Sequence, residues 1–194
     1  MTAISAPFGM RPVFHPSGLT RPRALYNGIP SGYNTNLFQG TPVAIDGTTG
    51  QVIIAASNGD YMGPFAGVEY TPSGGRPTWS NWWPANTVLQ ANTQAVVYYY
   101  EDVDIFYEMQ AVGPVLQLAI GDGAAFVNVG AGDVGSGLSL AQLGGTLLGA
   151  APLPVQIVDL AGASGNLGNA WGDAFTIVRV RVGRHQFWAN KNGF

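Results

Sequence analysis

The chain has 194 residues, no cysteine, 10% charged residues and a formal net charge of −3. The lack of cysteine excludes disulfides, thiolate metal sites and cysteine nucleophiles. A charged fraction this far below the ~25% typical of soluble domains leaves a surface of polar uncharged residues, which favours a protein immobilised in an assembly over a free compact domain.

Charge is unevenly distributed along the chain. Three arginines give the segment before Asp46 a charge of +3, the segment from Asp46 to Val178 carries −10, and the remainder carries +4. Two basic ends therefore flank an acidic centre. Without interleaved aromatic residues, so few positive charges per end predict acidic protein surfaces as partners and no nucleic acid.

Residues 1–40 are predicted to form an extended N-terminal arm. Prolines recur every four to eight residues up to Pro30, which prevents a stable helix, breaks any signal-peptide core and favours extended or polyproline-like backbone. We therefore expect no targeting segment. The arm is too apolar to stay free, so we expect it to dock in trans on a neighbouring subunit or partner. Its predicted contact residues are Phe8, Met10, Val13 and Phe14, with Arg11, Arg21 and Arg23 pairing with the partner's carboxylates. Deleting residues 1–31 is then expected to leave a folded body.

From Thr41 onward the chain consists of short β-rich runs separated by turn residues. The pattern predicts an all-β protein whose body, residues 41–182, is a single β-sandwich or β-barrel of jelly-roll-like form. Residues 183–194 are predicted to form a basic C-terminal tail. The predicted strands are Pro42 to Ile45, Gln51 to Ser57, Tyr61 to Thr71, Pro77 to Trp82, Ala95 to Glu101, Ile105 to Ala111, Ala124 to Val129, Val155 to Leu160 and Ala174 to Val182.

The last predicted strand has the clearest β pattern of the chain, whereas the stretch from residue 130 to 151 is the hardest to assign. In the last predicted strand, Val178, Val180 and Val182 share one face. Ile177, Arg179 and Arg181 share the other, so one end of that second face is cationic. The stretch from Gly130 to Ala151 is rich in glycine and alanine, and predicts a loop with weak strands at 138–143 and 146–148.

No stretch is apolar for the ~20 residues that a membrane span requires, so we expect no membrane contact.

The chemistry-bearing residues are few. His15 and His185 lie in opposite ends of the chain, and neither has a second histidine or a carboxylate at metal-ligand spacing, so no metal site and no cofactor are predicted. The run from Tyr98 to Gln110 is predicted to be two strands that meet at a tight turn. Its acidic residues are interpreted as an acidic turn or a patch for the basic ends, with calcium binding or catalysis as alternatives; they are Glu101, Asp102, Asp104 and Glu108. No acyl-transfer pattern is present, and the protein is predicted not to be an enzyme.

Aromatic residues are concentrated in two short stretches of the chain. Trp79, Trp82 and Trp83 follow one another closely, and Tyr98, Tyr99 and Tyr100 form a run. Bulky aromatics fill cores and interfaces more often than they stack on sugars, so the tryptophans are assigned to packing or to a subunit interface. Carbohydrate stacking by a β-sandwich module remains the alternative.

Three segments resemble a family of small proteins encoded beside the major capsid protein in tailed bacteriophages, the capsid cement or head decoration proteins. The segments are FGMRPVFHPSGLTRPRALYNGIPSGY, FAGVEYTPSGGRPTWSNWWPAN and NAWGDAFTIVRVRVGRHQFWANK. The resemblance implies a non-enzymatic structural protein on the outer face of the virion capsid. It would be made in the host cytoplasm, bind the major capsid protein and bridge neighbouring subunits as a homo-oligomer, either a dimer or a trimer. The alternative is a carbohydrate-binding β-sandwich module on a virion or cell surface.

Overall fold

The structure, a computed structural model, describes residues 4–148, 153–162 and 168–187. In these ranges the regular secondary structure is β-strand, apart from one 3₁₀ turn at Gln117–Ala119. Across the same ranges, no helix has the length and apolar character needed to cross a membrane. The strands are β1 (Arg11–Phe14), β2 (Arg23–Tyr26), β3 (Pro42–Ile45), β4 (Val52–Ile54), β5 (Gly63–Tyr70), β6 (Thr78–Ser80), β7 (Val96–Tyr99), β8 (Phe106–Gln110), β9 (Gly123–Val127), β10 (Gly132–Asp133), β11 (Leu138–Ser139), β12 (Gln142–Leu148), β13 (Val155–Leu160) and β14 (Ile177–Val182).

The strands form two six-stranded antiparallel sheets and a short hairpin. The first sheet has the order β1-β8-β14-β13-β9-β12, and the second has the order β2-β7-β5-β3-β4 with β6 attached to β5. Strands β10 and β11 pair with each other as the hairpin. The prediction of an all-β, sandwich-like body is therefore confirmed.

One core lies on the inner face of the first sheet. Strands β8, β9, β13 and β14 place alternate side chains there, among them the fully buried Tyr107, Met109, Phe126 and Val180. The ring of Tyr61 meets the ring of Phe126 edge-on, with centroids 5.1 Å apart. Each large apolar side chain buried in this way stabilises the fold by about 1.5–3 kcal/mol relative to exposure.

A second core lies on the other side of the second sheet. Adjacent residues of β3 face opposite ways, since Val43 belongs to the second core and Ala44 to the first. Loop residues Ile29, Leu37 and Trp83, all fully buried, cover the second core. The second sheet is thus packed on both faces.

The alternation predicted for the last strand is confirmed in β14. Val178 and Val180 are fully buried in the first core, whereas Arg179 is only half-buried and Arg181 is exposed. The 130–151 region contains more strand than expected, because β12 runs from Gln142 to Leu148 and pairs with β9.

The N-terminal arm differs from the expectation of a segment that docks in trans. Strand β1 is the edge strand of the first sheet and β2 is the edge strand of the second. Pro12 fits in β1 because an edge strand does not need every N–H for the ladder. Met10 and Ile29 are fully buried, one in each core. The boundary predicted at residue 40 therefore does not separate the arm from the body, and deletion of residues 1–31 would remove part of both cores.

The predicted C-terminal tail also begins inside the fold. The side-chain amide of Gln186 donates to the carbonyl of Ile45 at 2.6 Å, and its oxygen accepts from the N–H of Ile45 at 2.7 Å. His185 is buried, and its backbone forms an isolated β-bridge with that of Tyr61. Residues 1–3 of the predicted arm, 188–194 of the predicted tail, and 149–152 and 163–167 of the predicted body lie outside the described residues.

Candidate docking surface

The arm runs antiparallel to one continuous stretch of the chain that contains β7, β8 and the connection between them. Phe14 of β1 pairs with Phe106 of β8, and Arg23 of β2 pairs with Tyr99 of β7. Because both ends are fixed by strand pairing, the bend between β1 and β2 lies beside the β7–β8 connection. Strands β7 and β8 belong to different sheets, so the tight turn predicted between them is instead a crossover from one sheet to the other.

The arm divides its predicted contact residues between the core and the surface. Met10 is fully buried, which corrects the prediction that it contacts a partner. Phe8 is half-buried, and the guanidinium of Arg11 lies 4.8 Å from its ring centroid. Val13 and Phe14 remain 37% and 55% exposed. Of the four apolar side chains predicted to contact a partner, only Val13 and Phe14 are thus exposed enough to contact another molecule.

Two of the three arm arginines pair within the chain. Arg11 lies 2.5 Å from a carboxylate oxygen of Glu108, and Arg23 lies 2.5 Å from one of Glu101. Two acids of the predicted patch, Glu101 and Glu108, therefore bind basic residues of the arm, but within the same chain and not across an interface. Arg21 is exposed and makes no ion pair among the described residues. Of the three, Arg21 is therefore the one left to pair with a partner.

Glu108 belongs to a row of alternating charges across the outer face of the first sheet. Strand register places Arg11 opposite Glu108, Glu108 opposite Arg179, and Arg179 opposite Asp159. The Nε atom of Arg179 lies 3.7 Å from the second carboxylate oxygen of Glu108. Opposite charges on directly paired residues stabilise neighbouring strands, so this row helps to attach β1 to the sheet.

We define the arm surface as the exposed apolar residues from β1 to the end of β2, together with one arginine: Val13, Phe14, Leu19, Tyr26 and Arg21. Leu19 and Tyr26 are 56% and 69% exposed. The ring of Phe14 lies 5.7 Å from that of Phe106, so the pair presents aromatic area at the edge of the first sheet. The arm surface therefore lies on the edge strand of the first sheet, on the edge strand of the second sheet and on the bend between them.

The three tryptophans assigned to packing or a subunit interface have different environments. Trp83 is fully buried and meets Tyr70 edge-on at 5.1 Å, which places it in the core. Trp82 stacks on Phe38 with centroids 5.7 Å apart. Trp79 is 61% exposed. Trp79 is thus the member of the group with most of its side chain free for contact.

The two histidines also differ. His185 is buried, and its Nε2 lies 3.1 Å from the carbonyl oxygen of Met62. Burial lowers the pKa of His185 because desolvation disfavours the charged ring.

His15 was assigned no partner from sequence spacing, and the fold corrects this. Its Nε2 lies 3.1 Å from Oδ2 of Asp102, and donor atoms of His15, Asp102 and Asp104 all lie within 4.8 Å of one another. No local sequence signal could reveal this group, because it is created by pairing between strands far apart in the chain.

Comparison with known proteins gives no relative: no protein-family model, no curated protein and no solved structure matches this chain.

Proposed function

We propose that this protein is a non-enzymatic structural protein that binds the outer surface of a phage capsid and stabilises it by bridging neighbouring major capsid protein subunits. It would act as a dimer or trimer on the virion after synthesis in the host cytoplasm. The observation that carries the proposal is the arm surface, where apolar side chains stay exposed although the arm is anchored in both sheets.

The composition supports a role in an assembly. Only 10% of the residues are charged. Contiguous exposed apolar area bordered by polar residues is typical of protein interaction sites. Aromatic and arginine side chains contribute most of the binding energy at such sites, and the arm surface offers Phe14, Tyr26 and Arg21.

The anchoring of the arm changes how it would bind. A free arm would lose conformational entropy on docking, whereas strands already paired to the two sheets have lost it on folding. The arm surface therefore acts as a rigid docking edge in the proposal. Arg21 would form a bidentate pair with a carboxylate of the capsid protein, giving a salt-sensitive component beside an apolar one.

Co-sedimentation with shells that lack the protein tests the proposal. We expect the double variant Phe14→Ser, Leu19→Ser to lose most of its occupancy, while Leu118→Ser, at an even more exposed apolar residue outside the arm, keeps it. Both variants should retain the circular dichroism spectrum of the parent. Arm variants that decorate shells at parental occupancy would exclude the arm surface as the docking edge.

A second pair of variants tests the ionic component of shell binding. Arg21→Ala should weaken shell binding and reduce its dependence on salt. Arg76→Ala removes another exposed arginine, one without an ion pair among the described residues, and should change neither. Equal effects of the two substitutions would indicate a general charge effect and argue against a pair at Arg21.

Carbohydrate binding is the second candidate function, and the exposure of Trp79 favours it. Its indole lies over Gly67 of β5, with Cζ2 3.0 Å from where a glycine Cβ would be, so one ring face is supported and the ring is 61% exposed. Flat exposed aromatics of this kind stack on sugars. Glycan-array binding that disappears in Trp79→Ala, with folding retained, would support this candidate over the capsid role.

A further inference from the structure

The bend of the arm and the β7–β8 connection together create a group of mixed donor atoms. His15 contributes an imidazole, while Asp102 and Asp104 contribute carboxylates, and the donor atoms lie within 4.8 Å of one another. The His15 side chain is only 13% exposed, whereas that of Asp102 is 49% exposed. One donor is therefore fixed by packing and the others lie at a solvent-accessible rim.

We propose that His15, Asp102 and Asp104 bind a divalent transition-metal ion of the zinc class. Imidazole nitrogen and carboxylate oxygen bind such an ion at about 2.0–2.2 Å, which places neighbouring ligand atoms roughly 3–4 Å apart. Small rotations of the two exposed carboxylates bring the three donors to that separation. Solvent would supply the remaining ligands.

Ser17 provides the outer contact that a metal-binding histidine needs. Its Oγ lies 2.6 Å from Nδ1 of His15, and its backbone N–H donates to the same nitrogen at 3.0 Å. Without metal, Nδ1 therefore accepts and Nε2 carries the proton that faces Asp102. Binding would require the other tautomer: Nε2 gives up its proton and binds the ion, Nδ1 becomes protonated and donates to Ser17 Oγ, and the Ser17 N–H gives up its hydrogen bond to the ring.

The carboxylates are arranged and charged to receive a cation. The N–H of Asp104 donates to Oδ1 of Asp102 at 2.9 Å, which leaves Oδ2 directed at the histidine. Neither carboxylate has an arginine or lysine partner among the described residues. The neighbouring Arg23 is occupied by Glu101. A divalent ion would therefore balance two carboxylates that no arginine or lysine contacts directly among the described residues, although Arg21 and Arg181 line the adjoining clefts.

An ion also has open routes to the group from two sides. Asp104 borders a cleft of about 510 Å³ that Pro16 and Arg181 also line. Asp102 borders a second cleft of about 470 Å³, lined further by Arg21. A bound ion would connect the arm bend to the β7–β8 connection and so fasten the arm to the body.

Isothermal titration of the metal-free full-length protein with ZnCl₂ tests the proposal. We expect one ion per chain, a rise in the unfolding midpoint of about 5–10 °C at a hundredfold excess over Kd, and at least a tenfold weaker Kd in His15→Asn and in Asp104→Asn. Asp104 lies at the exposed rim, and no described residue donates a hydrogen bond to its carboxylate, so this variant should fold normally. Asp122→Asn, a carboxylate outside the group, serves as the matched control and should bind like the parent.

Cobalt substitution separates the proposed site from other binding. Co²⁺ bound to the parent should give visible absorption bands that change in His15→Asn. Zinc binding that survives both His15→Asn and Asp104→Asn, or binding of Ca²⁺ without zinc, would overturn the proposal.

Discussion

Replacing Met10 with alanine tests whether the arm is an integral part of the fold. Met10 is fully buried in the first core, and its N–H donates to the carbonyl of Gly40 at 2.9 Å, so the backbone should stay in place when the side chain is shortened. The substitution removes the Cγ, Sδ and Cε atoms. Their lost transfer free energy is about 2 kcal/mol, and a residual cavity brings the expected loss to about 2–5 kcal/mol.

For a chain of this size each kcal/mol lowers the unfolding midpoint by about 2–4 °C, so Met10→Ala should lower it by about 4–20 °C. Val13→Ala is the matched control on the same segment, because Val13 is 37% exposed and should cost less than about 1 kcal/mol. Urea unfolding followed by tryptophan fluorescence measures both.

The outcome distinguishes docking within the chain from docking between chains. Contacts within one chain give a loss that does not change with protein concentration, whereas contacts between chains give a midpoint that rises with concentration. If Met10→Ala lowers the unfolding free energy no more than Val13→Ala does, or if its effect depends on protein concentration, the arm is not anchored in the core of its own chain.

Three further substitutions examine other parts of the structure. Glu108→Gln keeps the shape of the side chain but removes the charge between two partly exposed arginines, so urea unfolding should show a loss of about 1 kcal/mol that shrinks in 1 M salt; a loss unaffected by salt would contradict the ionic origin. Gly63 has a φ of +147°, and Gly63→Ala places a Cβ 1.5 Å from the carbonyl oxygen of Tyr100, so the substitution should lower the unfolding free energy by more than about 3 kcal/mol. In the control Gly47→Ala the new Cβ meets nothing within 4 Å, so the unfolding free energy should hardly change. Equal unfolding midpoints for the two variants would refute the close approach at Gly63. The lowered pKa of His185 means that the unfolded state binds its proton first, so the unfolding free energy should fall as pH drops below about 6.5, and His185→Gln should flatten the pH profile in that window; an unchanged slope would show that His185 does not determine it.

The fold class could be predicted because its signals are local. The alternation of valine and arginine in β14 is a property of six consecutive residues, and it correctly placed Val178 and Val180 on one face, which the structure shows to be buried. Turn residues between short β-rich runs likewise gave most strands within a few residues. Trp83 was correctly considered as packing, but the sequence alone could not separate it from the exposed Trp79.

The arm and the group around His15 could not be predicted because their partners are distant. Prolines correctly indicated extended backbone in the arm, but extended backbone becomes a strand only when an edge is available to pair with it. That edge is provided by β7 and β8, and nothing near Arg11 or His15 in the sequence identifies Glu108 or Asp102 as their partners.

The arm precedes its strand partners β7 and β8 in the sequence, and this order has a consequence for synthesis. Arg11 and Glu108 are separated by 97 residues, and Arg23 and Glu101 by 78. At about 5–20 residues per second, a ribosome needs roughly 5–20 s to produce the partners of the arm after the arm itself has emerged. During that interval Met10 and the other apolar residues of the arm have no sheet to join, and long-range strand pairing is slow even once it can begin. The apolar residues of the arm should therefore stay unpaired on the nascent chain until β8 has left the ribosomal tunnel.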